Sequence, residues 1–244
     1  LGKPVTNPEL ILPHPTSPKG DAPLEVAKPP KGGTPPEVAK PDVAVGFCSG
    51  YQVYTKFLEC LIALVQTHPR VGWVVSTISG PAMMDARRDV VMGFLKDTPA
   101  KYLLMVDTDI IFNPSDLDLL FKVLPEPGVA SGLYVDSNGY PVAGYFKPDG
   151  GYSPLPSPAP VDPLRVDAVG AGFLLIPREV LENLPGGPTQ AFDHLVGPTG
   201  RVLGEDVSFC RRLAEAKVPI FLHPEVFLGH LKVRQLYPDG STLP

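Results

Sequence analysis

The 244-residue chain predicts an α/β fold: a mostly parallel sheet flanked by helices, forming one domain behind a disordered proline-rich arm. Three observations predict it. From residue 42 to 135, short apolar, β-branched runs alternate with segments of helical periodicity, the pattern of a parallel sheet covered on both faces. Residues 1–41 hold 11 of the 32 prolines and almost no periodic apolar pattern, so they cannot bury enough surface to fold alone. The ends of the first three strands carry small or polar groups, Ser49-Gly50, then residues 76–80, then Asp107-Thr108-Asp109, where open α/β sheets bind ligands.

Each element follows in order. "DVAVGFCSG" (42–50) is a strand closed by a turn, and "YQVYTKFLECLIALVQTH" is a helix with Val53, Phe57, Leu61 and Leu64 on one face. "RVGWVVSTISG" is a second strand in which Trp73 reads as core. "MMDARRDVVMGFLKD" is a second helix, with Val90, Val91, Phe94 and Leu95 facing inward. "KYLLMVDTD" is the third strand. "NPSDLDLLFKVL" opens a third helix with Asn113 or Ser115 as N-cap. "GVASGLYV" is a fourth strand. Beyond Val135 come a turn, the short strand "PVAGYF" and a Pro/Gly-rich loop over 147–163. "VDAVGAGFLLIPREVLENL" reads as a strand, a glycine turn and a helix from near Pro177. "RVLGEDVSFCRRLAEAKV" reads as a glycine turn and a helix from Glu205, and "PIFLHPEVFLGHLKV" as two short strands. The boundaries are an arm over 1–41, a domain over 42–235 and a loose tail over 236–244.

Composition narrows the function. A net charge of -5 excludes a global basic footprint for a polyanion, although a local basic groove stays open. Cys48, Cys60 and Cys210 are too few and too far apart for a disulfide framework or a zinc site, which fits a reducing, cytoplasmic setting. No apolar run reaches membrane-spanning length, and the first residues do not read as a signal peptide.

The chemistry concentrates in three stretches. In "YLLMVDTDIIFNPSDL", Asp107 and Asp109 follow a buried run, and side chains at i and i+2 of a strand share a face. Two carboxylates on one face ionise together only with a cation beside them or in water. Hard oxygen ligands, few in number, suit Mg2+ or Mn2+ with substrate phosphates completing the shell. Read alone, the pair is a weak signal and fits two solvated acids better. "GEDVSFCRR" places Glu205 and Asp206 in the first turn of a helix, where the macrodipole favours negative charge. "FLGHLK" ends an apolar strand with His230, a residue type that either satisfies itself in a core or ligates a metal.

Taken together, in this order, these stretches resemble a GT-A-fold (Rossmann-like) nucleotide-sugar-dependent glycosyltransferase of the family 2 type. "LLMVDTDIIFNPSDLDLL" resembles the family's Asp-x-Asp motif and the helix after it. "AVGAGFLLIPREVLENL" resembles its acceptor-side and donor-sugar loop, "GEDVSFCRRLAEAKVPIFLHP" its Glu-Asp motif, and "GHLK" its late histidine. The match covers residues 42–233. The resemblance implies Asp109 as metal ligand, Asp107 at the ribose or at the metal through water, and His230 as a further ligand. It implies Asp206 as base and Glu205 at sugar hydroxyls, with these two roles open to exchange. It implies Gly46, Phe47, Cys48 and Ser49 under the nucleoside, Arg87 or Arg88 at the nucleotide, and Gly170, Ala171 and Gly172 beside the sugar. The cofactor implied is Mn2+ or Mg2+ and the donor a UDP- or GDP-sugar. The second strand ends "VSTISG" without the acid that reads the base in the family, which leaves the nucleotide open.

The activity implied is inverting sugar transfer to an acceptor hydroxyl. The acceptor is open among a protein, a glycan, a small molecule and a modified nucleobase of the kind found in bacteriophage DNA. A nucleotidyltransferase is the second class, weakened by the lack of a basic glycine-rich loop after the first strand. A catalytically inactive nucleotide-sugar-binding module is the third.

Overall fold

The computed structural model describes residues 40–50, 52–78, 82–148, 151–156 and 161–232, and the backbone of 235–236 and 242–243. The chain divides into two units, Leu1–Glu37 and Val38–Pro244, and every described residue belongs to the second. The arm and the tail read from the sequence lie almost wholly outside the described residues.

In chain order the elements are β1 (Val43–Ser49), α1 (Thr55–Thr67), β2 (Val71–Ile78), α2 (Met83–Asp97), β3 (Tyr102–Val106), β4 (Ile110–Ile111), α3 (Asp116–Val123) and β5 (Val129–Leu133). There follow β6 (Ala143–Phe146), β7 (Tyr152–Pro154), β8 (Leu164–Val166), β9 (Ala168–Val169), β10 (Phe173–Pro177), α4 (Arg178–Glu182) and α5 (Glu205–Glu215). Strands β11 (Ile220–Phe227), β12 (Gly229–His230), β13 (Gln235–Leu236) and β14 (Thr242–Leu243) close the list. The last two pair antiparallel, β13 at the boundary between the domain and the tail read from the sequence and β14 within that tail.

Seven strands form the central sheet in the order β2-β1-β3-β10-β5-β11-β8. β1 pairs parallel with β2 and β3, and β5 pairs parallel with β11. β10 runs antiparallel between β3 and β5, and β8 runs antiparallel at the β11 edge. Five of the seven strands therefore point the same way. The sequence reading has a strand before the glycines at 170–172 and a helix after them; the structure inserts β10 between. "FLLIP" is buried at every position, so it lacks the alternation that marks a strand.

Alternation along β3 builds the two sides of the core. Leu103 and Met105 face one layer, with Val90, Val91 and Phe94 of α2 and Phe209 and Leu213 of α5. Leu104 and Val106 face the other, with Phe57, Leu61 and Leu64 of α1 and Leu117 and Leu120 of α3. Burying side chains of this size stabilises the fold by about 1.5–3 kcal/mol each. Gly46 lets α2 lie close to the sheet, since a Cβ there would meet Val90 Cγ1 at 2.5 Å. α3 starts after Ser115, whose side chain makes no cap; instead the Asn113 N–H donates to Asp116 Oδ2 at 2.7 Å. Among the described residues no helix is long and apolar enough to cross a membrane.

Candidate active site

The site lies where β3 stops. The Asp107 N–H donates to the Gly172 carbonyl at 2.9 Å, and the Ile110 N–H donates to the Asp107 carbonyl at 3.1 Å. This closes a turn over residues 107–110, so strand alternation ends at Val106. The shared face expected for Asp107 and Asp109 is replaced by two separate environments.

Asp107 belongs to Arg87. The Arg87 side chain, on α2, is only 3 % exposed. Its Nη1 lies 3.0 Å from Asp107 Oδ1 and its Nη2 donates to Asp107 Oδ2 at 3.1 Å, a two-point clasp. Two further carboxylates approach from the first turn of α5: Asp206 Oδ1 at 3.6 Å and Glu205 Oε1 at 3.7 Å. These distances give charge attraction without a hydrogen bond. Arg87 Nε and Asp206 Oδ1 have no hydrogen-bond partner among the described residues. Burial works against the Arg87 charge, but Asp107 and Asp206 outweigh it and hold the guanidinium more firmly protonated than usual. Burial pushes the Asp206 carboxyl up to about 6. Glu205 and Asp107 push the same way, while Arg87 and the Ala171 N–H pull against it. The Asp206 side chain still keeps 29 % exposure and lines a cavity of about 340 Å³.

Asp109 belongs to His230. Strands β4 and β12 pair His230 with Ile110, and the Leu231 N–H donates to the Asp109 carbonyl at 2.8 Å. His230 Nδ1 lies 2.6 Å from the Val135 carbonyl, which only accepts, so Nδ1 carries a proton. The other ring nitrogen, Nε2, lies 3.2 Å from Asp109 Oδ2. Lys232 Nζ donates to the same oxygen at 2.8 Å. A carbonyl behind the distal nitrogen is the arrangement that orients metal-binding histidines.

Among the described residues no group of three His, Cys, Asp or Glu gathers to hold a metal. The set read from the sequence, Asp107 with Asp109 and His230, is not brought together as one, because Arg87 takes both Asp107 oxygens. The Asp109–His230 pair alone fits a hard cation that takes most of its shell from water and phosphate.

The remaining candidates fall into two groups. Gly170 and Gly172 sit under the Tyr134 hydroxyl, which accepts from the Gly172 N–H at 3.1 Å. A Cβ at Gly172 would lie 2.7 Å from that oxygen and 3.3 Å from Asp107 Oδ2. Tyr134 thus takes the close approach that the glycines allow, and its ring packs edge-on against His230 at 5.1 Å. Ala171 gives its carbonyl to Arg87 at 3.4 Å and its N–H to Asp206. On β1, Phe47 packs against Phe57, and Ser49 Oγ lies 3.5 Å from the Thr77 carbonyl. The buried Cys48 thiol is pushed up to about 11 by burial, which leaves it protonated and inert. Arg88 turns outward to Asp85 at 2.8 Å. Tyr134 and Lys232 escape the sequence reading; for Lys232 the only signal is its place two residues after His230.

No protein-family model matches the chain, and no curated protein matches it. Solved structures do. A crystal structure of A197 from STIV superposes with a TM-score of 0.52 at 18% identity, over 82% of this chain and 92% of that one. A crystal structure of GalNAc-T7 with UDP, GalNAc and Mn2+ superposes with a TM-score of 0.53 at 12% identity. It covers 81% of this chain, which spans only 45% of that protein. At these identities the likeness concerns the fold, and the fold is GT-A-like.

Proposed function

We propose that this chain is a metal-dependent glycosyltransferase that moves a sugar from a nucleotide-sugar donor to an acceptor hydroxyl, with inversion and with Asp206 as base. The observation that carries the reading is Asp206 itself. It is a carboxylate that burial pushes up to about 6, its side chain 29% exposed and lining a cavity, with Oδ1 buried 3.6 Å from Arg87. A base poised near the working pH and lining a space that an acceptor can enter is what attack by a hydroxyl requires. The GT-A-like fold agrees with it, as does a solved neighbour bound to UDP and Mn2+.

In this reading Asp206 takes the acceptor's proton as the acceptor oxygen bonds to the anomeric carbon. The bond from that carbon to the diphosphate breaks, and the nucleoside diphosphate leaves with the electron pair. Glu205, one residue away in the same turn, hydrogen-bonds sugar hydroxyls. Arg87 keeps Asp107 in place and limits the rise in the Asp206 pKa, so the base stays ionised at neutral pH. Asp109 and His230 would hold Mn2+ or Mg2+, whose charge offsets that of the leaving diphosphate. Lys232 makes way by swinging off Asp109, as an exposed ammonium on a flexible stem can.

The test is a panel of UDP- and GDP-sugars with Mn2+ or Mg2+, with products read by mass spectrometry. Metal-dependent release of nucleoside diphosphate from at least one donor, lost in Asp109→Ala, is expected. No release from any donor under any metal contradicts the proposal.

A further inference from the structure

The cavity on which Asp206 opens also carries a statement about the acceptor. It measures about 340 Å³, at the small end of the roughly 300–1,000 Å³ that holds small ligands, so it suits one ring-sized unit and not a stretch of polymer. Its walls include the rings of Tyr140 and Tyr152 and the apolar faces of Pro141, Pro154 and Val169. Its polar ends are two carboxylates, Asp136 and Asp206, and no Lys or Arg lines it among the described residues. The Asn138 and Tyr140 N–H groups donate to Asp136 Oδ1 at 2.8 and 2.9 Å. They hold that carboxyl below its ordinary range, so Asp136 is ionised at any working pH.

An anion entering this space meets a fixed negative charge and, among the described lining residues, no Lys or Arg. A ligand with many hydroxyl donors and a C–H face meets acceptors at the polar ends and aromatic faces along the walls. Phosphate-rich nucleic acid depends on Lys and Arg contacts that this lining lacks.

Resting on the glycosyl-transfer reading, we infer that the acceptor is an uncharged sugar, seated between Tyr140 and Tyr152 with a hydroxyl at Asp206, and that phosphorylated sugars and nucleic acid are excluded. The second cavity, about 390 Å³, shares Tyr152 and Val207 with the first and includes Arg201. It gives the rest of a longer neutral glycan somewhere to run.

The experiment is saturation-transfer NMR on the full chain with the methyl glycosides of glucose, galactose and N-acetylglucosamine, their 6-phosphates, and a neutral threonine peptide. At least one neutral glycoside should bind. Tyr152→Ala should weaken it about 10-fold and Tyr152→Phe should keep it, because stacking needs the ring and not the hydroxyl. The matching 6-phosphate should bind about 5-fold more weakly, and Asp136→Asn should narrow that gap. Equal or tighter binding of the 6-phosphate, binding of the peptide alone, or no glycoside binding overturns the inference. The two proposals fail separately. Donor cleavage without glycoside binding sinks only the acceptor class, whereas glycoside binding without donor cleavage by any nucleotide-sugar sinks the transferase.

Discussion

Asp107 and Asp109 are separated by one residue and nearly equally exposed, 27% and 26% for their side chains, yet their surroundings have little in common. Asp107 is clasped by a buried guanidinium that cannot lose its proton. Asp109 faces a histidine and an exposed lysine on a flexible stem. The first pairing is permanent and the second is exchangeable. Solvent exposure does not separate these two acids; the partner does. The same cation clasps Asp107 and reaches Asp206 and Glu205 only at 3.6 and 3.7 Å, and burial raises the pKa of Asp206.

The largest expected effect breaks the permanent side. Arg87→Met leaves Asp107, Glu205 and Asp206 uncompensated and should cost about 3–5 kcal/mol, read by urea unfolding. A loss under about 1 kcal/mol would mean that the cluster is not held by Arg87. Next, Asp206→Asn should lower transfer by about 10²–10⁴-fold while donor binding stays within a few-fold, measured by turnover and by calorimetry. Wild-type turnover in this variant moves the base elsewhere.

The pH profile sharpens the same point. The folded pKa of Asp206 is raised to about 6, so the carboxylate is available above that value and protonated below it. Transfer should fall about tenfold per pH unit below 6 and level off above 7. A flat profile from pH 5 to 8 excludes Asp206 as base. The smallest effect concerns the exchangeable side. Lys232→Met removes a cation that competes for Asp109 and should tighten Mn2+ binding up to about 5-fold with no change in unfolding midpoint.

The sequence made the outline of the site legible and hid its wiring. α2, from Met83 to Asp97, and the start of α5 at Glu205 stand where periodicity and capping put them, because amphipathic spacing and helix-start acids are local signals. β10 did not show itself: an antiparallel strand inserted between two parallel ones depends on pairing with β3 and β5, far away in sequence. The clasp on Asp107 was hidden for the same reason, since Arg87 lies 20 residues before it and Asp206 a further 99 after. The i, i+2 rule misled at Asp109 because the strand ends one residue before Asp107. Tyr134 left no trace, because a tyrosine lodged over Gly170 and Gly172 reads from sequence like any core aromatic.

The division between the two aspartates is tested most directly by electron paramagnetic resonance of Mn2+ titrated into the full chain with UDP or GDP present. Wild type should remove free Mn2+ from solution with one of the two nucleotides, and Asp109→Ala should not, while its unfolding free energy stays within about 1 kcal/mol of wild type. Equal Mn2+ uptake by Asp109→Ala would contradict the account and place the metal away from the Asp109–His230 pair.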